Sequence, residues 1–145
     1  MKPRIIPAFV LLALSLWLVS CAPGTGVTSV EGSCGDFESQ PHMSKEMNVT
    51  AGDSFKVTLC SNPTTGFEWS ESAQISDPTV VQQLKHESLA SENEEAEALV
   101  GAPGKEAWTF KALKKGTSTV SLEYSRPWEG GEKGEWTFNL TVVVK

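Results

Sequence analysis

The chain has 145 residues, with 12 basic and 18 acidic side chains and a formal net charge of −6. That length suits one domain of ordinary size rather than two. The acidic balance argues against nucleic acid as a partner, because phosphate contacts need a basic face.

The amino terminus reads as an export signal. Lys2 and Arg4 precede an apolar run from Ile5 to Leu18, shorter than the ~20 residues a membrane-spanning helix needs but suited to a secretory signal peptide over residues 1–20. Leu18-Val19-Ser20-Cys21 resembles a bacterial lipobox. That resemblance implies cleavage before Cys21 and acylation of Cys21, so that lipid chains hold the protein on a membrane. Each buried methylene would contribute ~0.8 kcal/mol to the anchor. The expected location is that of an exported, membrane-anchored lipoprotein, on the periplasmic side or at the cell surface. Ala22, where an acidic residue is absent, favours an outer membrane by similarity to Gram-negative lipoproteins. Removing residues 1–20 also removes Lys2 and Arg4, leaving 10 − 18 = −8.

Residues 21–45 are rich in Gly, Ser, Thr and Pro without sustained apolar periodicity, which predicts a flexible tether. With Cys21 lipidated, Cys34 and Cys60 remain. In an oxidising compartment they form either a disulfide or two separate buried thiols.

From residue 46 onward the pattern has period two. Phe55, Val57 and Leu59 alternate with polar residues, as do Trp108 and Phe110, then Val120, Leu122 and Tyr124, then Trp136, Phe138, Leu140 and Val142. Such alternation means strands with one buried and one wetted face. Phe67 and Trp69 resume after a turn, and Val80–Leu84 supplies a further short strand. Ala51-Gly52-Asp53 and Lys115-Gly116-Thr117 supply turns. Ser88–Ala98, with Glu92, Glu94, Glu95 and Glu97, reads as a mobile acidic loop. The expected fold of residues 46–145 is all-β: an immunoglobulin-like antiparallel sandwich or barrel.

Signs of catalysis are weak. His42 lies in the expected tether, and both His42 and His86 read as solvated surface residues. The sequence after His86, HESLA, lacks the second histidine of a zinc-protease motif, and no cysteine or histidine spacing suggests a metal. Gly101–Lys105 has neither the spacing nor the hydroxyl of a phosphate loop, since Glu106 follows the lysine. The reading is therefore of a protein that is not an enzyme and needs no cofactor.

Three loops stand out between the strands. Asn62-Pro63-Thr64-Thr65-Gly66, closed by Phe67, is stiffened by Pro63 and permitted a positive φ at Gly66. Gly101-Ala102-Pro103-Gly104 is the second, and Arg126-Pro127-Trp128 the third. Trp128 stands beside Pro and Gly rather than within a strand, where exposed aromatics and arginines serve as binding anchors. The ordered set NPTTGFEW, LVGAPG and RPWEGG resembles the chagasin family, inhibitors of papain-like cysteine proteases, over roughly residues 47–145. The resemblance implies a reversible, non-covalent inhibitor, monomeric, whose partner is a papain-like protease of its own cell or of a host. It implies that Asn62–Gly66 occlude the catalytic cleft, with the Thr64 and Thr65 hydroxyls near the protease's thiol and histidine. Arg126, Pro127 and Trp128 would clamp one flank, and Gly101, Ala102 and Gly104 the other. Pro103 stands where the family usually has glycine, and proline has no N–H to donate. The alternative reading is an envelope-anchored adhesion or scaffolding module that uses the same loops on another protein.

Overall fold

In a computed structural model, residues 27–89 and 103–145 are described. Strands β1 (Thr28–Gly32), β3 (Ser54–Ser61), β6 (Val81–Leu89) and β7 (Gly104–Ala112) form one sheet in the order β1-β3-β7-β6. Strands β2 (His42–Val49), β4 (Glu68–Trp69), β8 (Gly116–Ser125) and β9 (Trp136–Val144) form the second in the order β2-β9-β8-β4, with β5 (Gln74–Ile75) also on β8. The alternating residues behave as their period requires. Phe55, Val57 and Leu59 from one sheet meet Val120, Leu122, Phe138, Leu140 and Val142 from the other in a single core, each at most 2% exposed. Trp108 and Phe110 complete it from β7. The result is the expected β-sandwich, made by apolar faces that have only each other to be buried against.

The pairing is not wholly antiparallel. β1 runs parallel to β3 and β2 parallel to β9, whereas the other neighbours are antiparallel. Both sheets are therefore mixed, because the amino-terminal segment adds one edge strand to each.

That segment corrects the expected tether. Residues 28–45 form β1, the helix α1 (Cys34–Ser39) and the start of β2. The alternation in β2 was present but interrupted: Met43, Met47 and Val49 point inward, while Lys45 takes the inward place between the two methionines and sends its Nζ to the Glu31 carbonyl at 2.7 Å. α1 starts at a capping box. Ser33 receives the Asp36 amide on its hydroxyl, and its own amide donates to the Asp36 carboxylate at 2.9 Å, satisfying donors that a helix start leaves free. The Ser33 hydroxyl, which donates to the Asp36 carboxylate at 2.7 Å, and then the Ser33 amide hold that carboxyl below its usual pKa. The helix ends before Pro41 and buries Phe37 completely.

α1 is fixed at its first residue. Cys34 and Cys60 form a disulfide with their Cα atoms 5.2 Å apart, 26 residues apart in sequence. Of the two alternatives open for these thiols, the fold takes the bridge.

β6 is also longer than the expected Val80–Leu84, and it continues to Leu89. A bulge between Gln83 and Lys85 shifts the register against β7 and leaves Leu84 exposed. One extra residue resets the alternation, which is why the segment's periodicity faded. Ser88 and Leu89 close β6. The remainder of the acidic Ser88–Ala98 stretch lies outside the described residues, as do the signal segment and Cys21.

Candidate functional site

The register of the sheets decides where the loops stand. β3 ends beside the start of β7, with Ser61 opposite Gly104, so Pro103 and Gly104 lie next to Asn62. β4 begins beside the end of β8, with Glu68 opposite Ser125, so Phe67 lies next to Arg126. The first loop crosses from one sheet to the other between these two points. The described parts of all three loops are thereby gathered at one end of the sandwich. Gly101 and Ala102 lie outside the described residues.

The first loop folds onto itself. Pro63–Thr65 form a single 3₁₀ turn, in which Thr65 N–H donates to the Asn62 carbonyl and Gly66 N–H to the Pro63 carbonyl, both at 3.2 Å. The Asn62 carboxamide oxygen receives the Thr64 hydroxyl at 2.7 Å, and the Asn62 carbonyl receives the Thr65 hydroxyl at 2.7 Å. The hydroxyl protons of both threonines are therefore used inside the loop, and what they present outward is an acceptor lone pair. The side chains are nonetheless at the tip, with Pro63, Thr64 and Thr65 exposed.

Gly66 is required for two reasons. Its φ is +77°, the left-handed region that L side chains avoid. A Cβ there would also meet Trp128 Cη2 at 2.8 Å. The indole of the third loop thus lies against the backbone of the first, while Trp128 stays 52% exposed. Exposure of a large aromatic held in place by a neighbouring loop is the arrangement of an anchor rather than of a core residue.

Arg126 ties the same loops from below. Its guanidinium lies 4.5 Å from the centre of the Phe67 ring and 5.8 Å from that of Trp128, and its Nη1 donates to Glu132 Oε2 at 2.8 Å. Its Nε is buried without a hydrogen-bond partner among the described residues, so the cation–π contact is what the charge gains on that side. The Arg126 amide donates to the Glu132 carbonyl at 2.8 Å, and Gly131 N–H to the Trp128 carbonyl at 3.1 Å. Gly131 sits so close to Arg126 that a Cβ would come within 2.7 Å of the arginine's own Cβ. Phe67, included among the contact residues, is 9% exposed and acts as the floor beneath Arg126.

Residues absent from the sequence-level set support this rim. Tyr124 was read only as a strand residue, yet its hydroxyl accepts the Asn62 amide at 2.9 Å and donates to the Asn62 carbonyl at 3.2 Å. Its place as the last inward-facing residue of β8, one step before Ser125 and the third loop, was the available signal. A groove of about 460 Å³ opens between Asn62, Thr65, Phe67, Pro103, Tyr124 and Trp136.

His86 is not a solvated surface residue. It stacks on Trp108 with ring centres 4.8 Å apart, and its Nε2 lies 2.8 Å from Glu106 Oε2. Glu106 Oε1 accepts the Ser61 hydroxyl at 2.6 Å. Glutamate separates serine from histidine here, so the histidine cannot take the serine's proton, and the trio lacks the order that nucleophilic catalysis requires. It is a polar bracket joining β3, β6 and β7, with Ser61 and Glu106 buried and His86 partly so. His42 does lie at the surface, on β2, with its Nδ1 3.1 Å from the Thr137 hydroxyl.

Comparison with known proteins agrees with the geometry. The family model described as chagasin family peptidase inhibitor I42 matches residues 48–142. Amoebiasin-2 of Entamoeba histolytica is 32% identical over 99 residues, covering 68% of this chain and 76% of that protein. Chagasin of Trypanosoma cruzi is 34% identical over 110 residues, covering 72% of this chain and 91% of that protein. The crystal structure of the cysteine protease inhibitor EhICP2 from Entamoeba histolytica superimposes with a TM-score of 0.61 at 25% identity, covering 82% of this chain and 97% of that one.

Proposed function

The chain belongs to the chagasin family of peptidase inhibitors, proteins that are not enzymes, and on that premise we propose that it is a reversible, non-covalent inhibitor of papain-like cysteine proteases. The observation that carries this reading is the seating of Trp128 on Gly66 beside a self-bonded Asn62–Gly66 turn. A peptide is cleaved when it lies extended with a carbonyl placed on the nucleophile. Here the Asn62 and Pro63 carbonyls accept hydrogen bonds within the loop, and the chain turns where a substrate would be straight. Such a loop can fill a catalytic cleft without offering a scissile bond. Stiffness also lowers the ordering cost, ~0.5–1.5 kcal/mol for each flexible side chain immobilised on binding.

In this reading Thr64 and Thr65 enter the cleft, and Arg126, Pro127 and Trp128 grip one flank. Gly101, Ala102, Pro103 and Gly104 lie along the other, with Pro103 offering shape and no donor. Three loops of this kind suit an interface of ~800 Å² per partner. The same reading has the protein exported and anchored to a membrane through lipidated Cys21, on the periplasmic side or at the cell surface, acting as a monomer.

Titration of papain and of a cathepsin with the purified protein tests the inhibitory reading. Dose-dependent, reversible loss of protease activity, with the inhibitor recovered intact, is the expected result. Full protease activity at micromolar excess across several such enzymes would overturn it. For the anchor, Cys21→Ser should abolish metabolic labelling with palmitate and release the protein from the membrane fraction.

A further inference from the structure

A continuous aromatic stack runs under the three loops. Phe37 of α1 lies face to face with Trp136 at 5.0 Å and 13°. Trp136 stacks on Tyr124 at 4.7 Å and 13°, and Tyr124 on Phe67 at 5.5 Å and 24°. Arg126 closes the series over Phe67 at 4.5 Å. The end at Phe37 is set by the disulfide, since Cys34 opens α1 and Cys60 precedes Asn62 by two residues. The Cys60 carbonyl in turn receives Trp69 Nε1 at 2.8 Å.

Within the stack, Tyr124 is the ring whose side chain hydrogen-bonds the occluding loop among the described residues, while Phe67 reaches it through its backbone amide, which donates to the Thr65 hydroxyl at 3.4 Å. Tyr124 is 2% exposed, and its hydroxyl both accepts from and donates to the backbone of Asn62. That residue accepts four of the loop's other described bonds, from the Thr64 and Thr65 hydroxyls and amides. Fixing Asn62 therefore fixes the turn. A phenol free to tilt would lose one or both contacts. Trp136 on one face and Phe67 on the other prevent the tilt, and Phe37 backs Trp136.

We propose that Tyr124, braced through Trp136 and Phe37 by the Cys34–Cys60 bridge, is the positioning residue that holds the Asn62–Gly66 loop in its inhibitory shape. The segment around α1, which precedes the 48–142 region matched by the family, is then part of the inhibitory apparatus rather than a spacer. The inference deepens the inhibitory reading and rests on it. It needs no contact between Tyr124 and the protease, because the effect travels through backbone hydrogen bonds whose geometry the stack sets.

The test compares four forms of the purified protein: the parent, Tyr124→Phe, the double variant Cys34→Ser/Cys60→Ser, and Val144→Ala as a stability control. Val144 is buried at the far end of β9 from Trp136. Three quantities are read: the inhibition constant for papain, the melting temperature, and hydrogen exchange at the Asn62 amide. Tyr124→Phe should raise the inhibition constant about tenfold, as expected when a preorganised loop becomes free to reorder, and should speed Asn62 exchange. The double cysteine variant should shift both in the same direction. Val144→Ala should melt earlier yet inhibit as the parent does. Equal weakening in Val144→Ala would assign the effect to stability and overturn the proposal. So would an unchanged inhibition constant in Tyr124→Phe, whatever its exchange rate. If the parent itself fails to inhibit, the functional reading falls; Asn62 exchange then still decides whether Tyr124 sets the loop, and exchange unchanged in Tyr124→Phe would sink that as well.

Discussion

Trp128 and Gly66 are packed so closely that a single added methyl group on Gly66 would approach the indole Cη2 to 2.8 Å. Two loops separated by some sixty residues in sequence thus form one surface, and the glycine is as necessary to that surface as the tryptophan.

Gly66→Ala should therefore damage both stability and inhibition. The φ of +77° costs an alanine about 1 kcal/mol, and the indole must move as well. We expect a melting temperature lower by a few degrees and a weakened inhibition constant. Thermal unfolding and papain titration on the same preparation measure the two effects. A variant that inhibits as the parent does would show that the Trp128 position does not matter.

Trp128→Ala separates binding from folding. With half of its surface in solvent, the side chain contributes little to the core. As an aromatic anchor at an interface it should be worth about 2 kcal/mol, or about 30-fold in affinity. Surface plasmon resonance against a cysteine protease should show the loss mainly as faster dissociation, with a denaturation midpoint close to the parent's. Unfolding of the variant would instead make Trp128 a structural residue.

Glu106→Ala addresses the bracket behind the loops. Removing the carboxylate leaves the Ser61 hydroxyl and the His86 ring without their shared partner. Buried groups left in that state cost about 1–3 kcal/mol each, so a stability loss of about 2–4 kcal/mol is expected in urea denaturation. A change below about 0.5 kcal/mol would mean that water replaces the carboxylate.

Acid should loosen α1 before the sandwich. The Ser33 hydroxyl and amide depress the Asp36 pKa below the ordinary value of 3.8. A depressed carboxylate contributes stability that is fully present above its unfolded value and is lost as pH falls through the folded one. The cap should therefore be intact at neutral pH and fade below about pH 4. Chemical shifts of the Phe37 ring followed from pH 6 to pH 2 should move in that window, and Asp36→Asn should flatten the change. Ring shifts that stay constant to pH 2 would show that the disulfide alone holds the helix.

The core strands were legible because period-two alternation is a local signal. Phe55, Val57 and Leu59 in β3 and Phe138, Leu140 and Val142 in β9 each point one way, and every one of them is buried. The amino-terminal strands were not. β1 is an edge strand with mostly exposed residues, and β2 places Lys45 at an inward position, so neither shows clean alternation. β6 hid its length behind a bulge that moves Leu84 outward. His86 was misjudged for a related reason: what buries it is Trp108 on the neighbouring strand, a contact no flanking sequence announces.

The candidate site divides in the same way. The resemblance of three ordered motifs to the chagasin family marked Asn62–Gly66, Pro103 and Arg126–Trp128, because a proline-stiffened turn and a tryptophan between Pro and Gly are properties of a few consecutive residues. Tyr124, Trp136, Phe37 and the Cys34–Cys60 bridge acquire their roles only when β8, β9, α1 and β3 converge beneath the loops. Short-range preferences of the chain thus determined which segments are strands and which tips are rigid. The placement of those tips against one another, and the stack that holds them, was decided by strand register and cross-sheet packing, which join residues far apart in sequence.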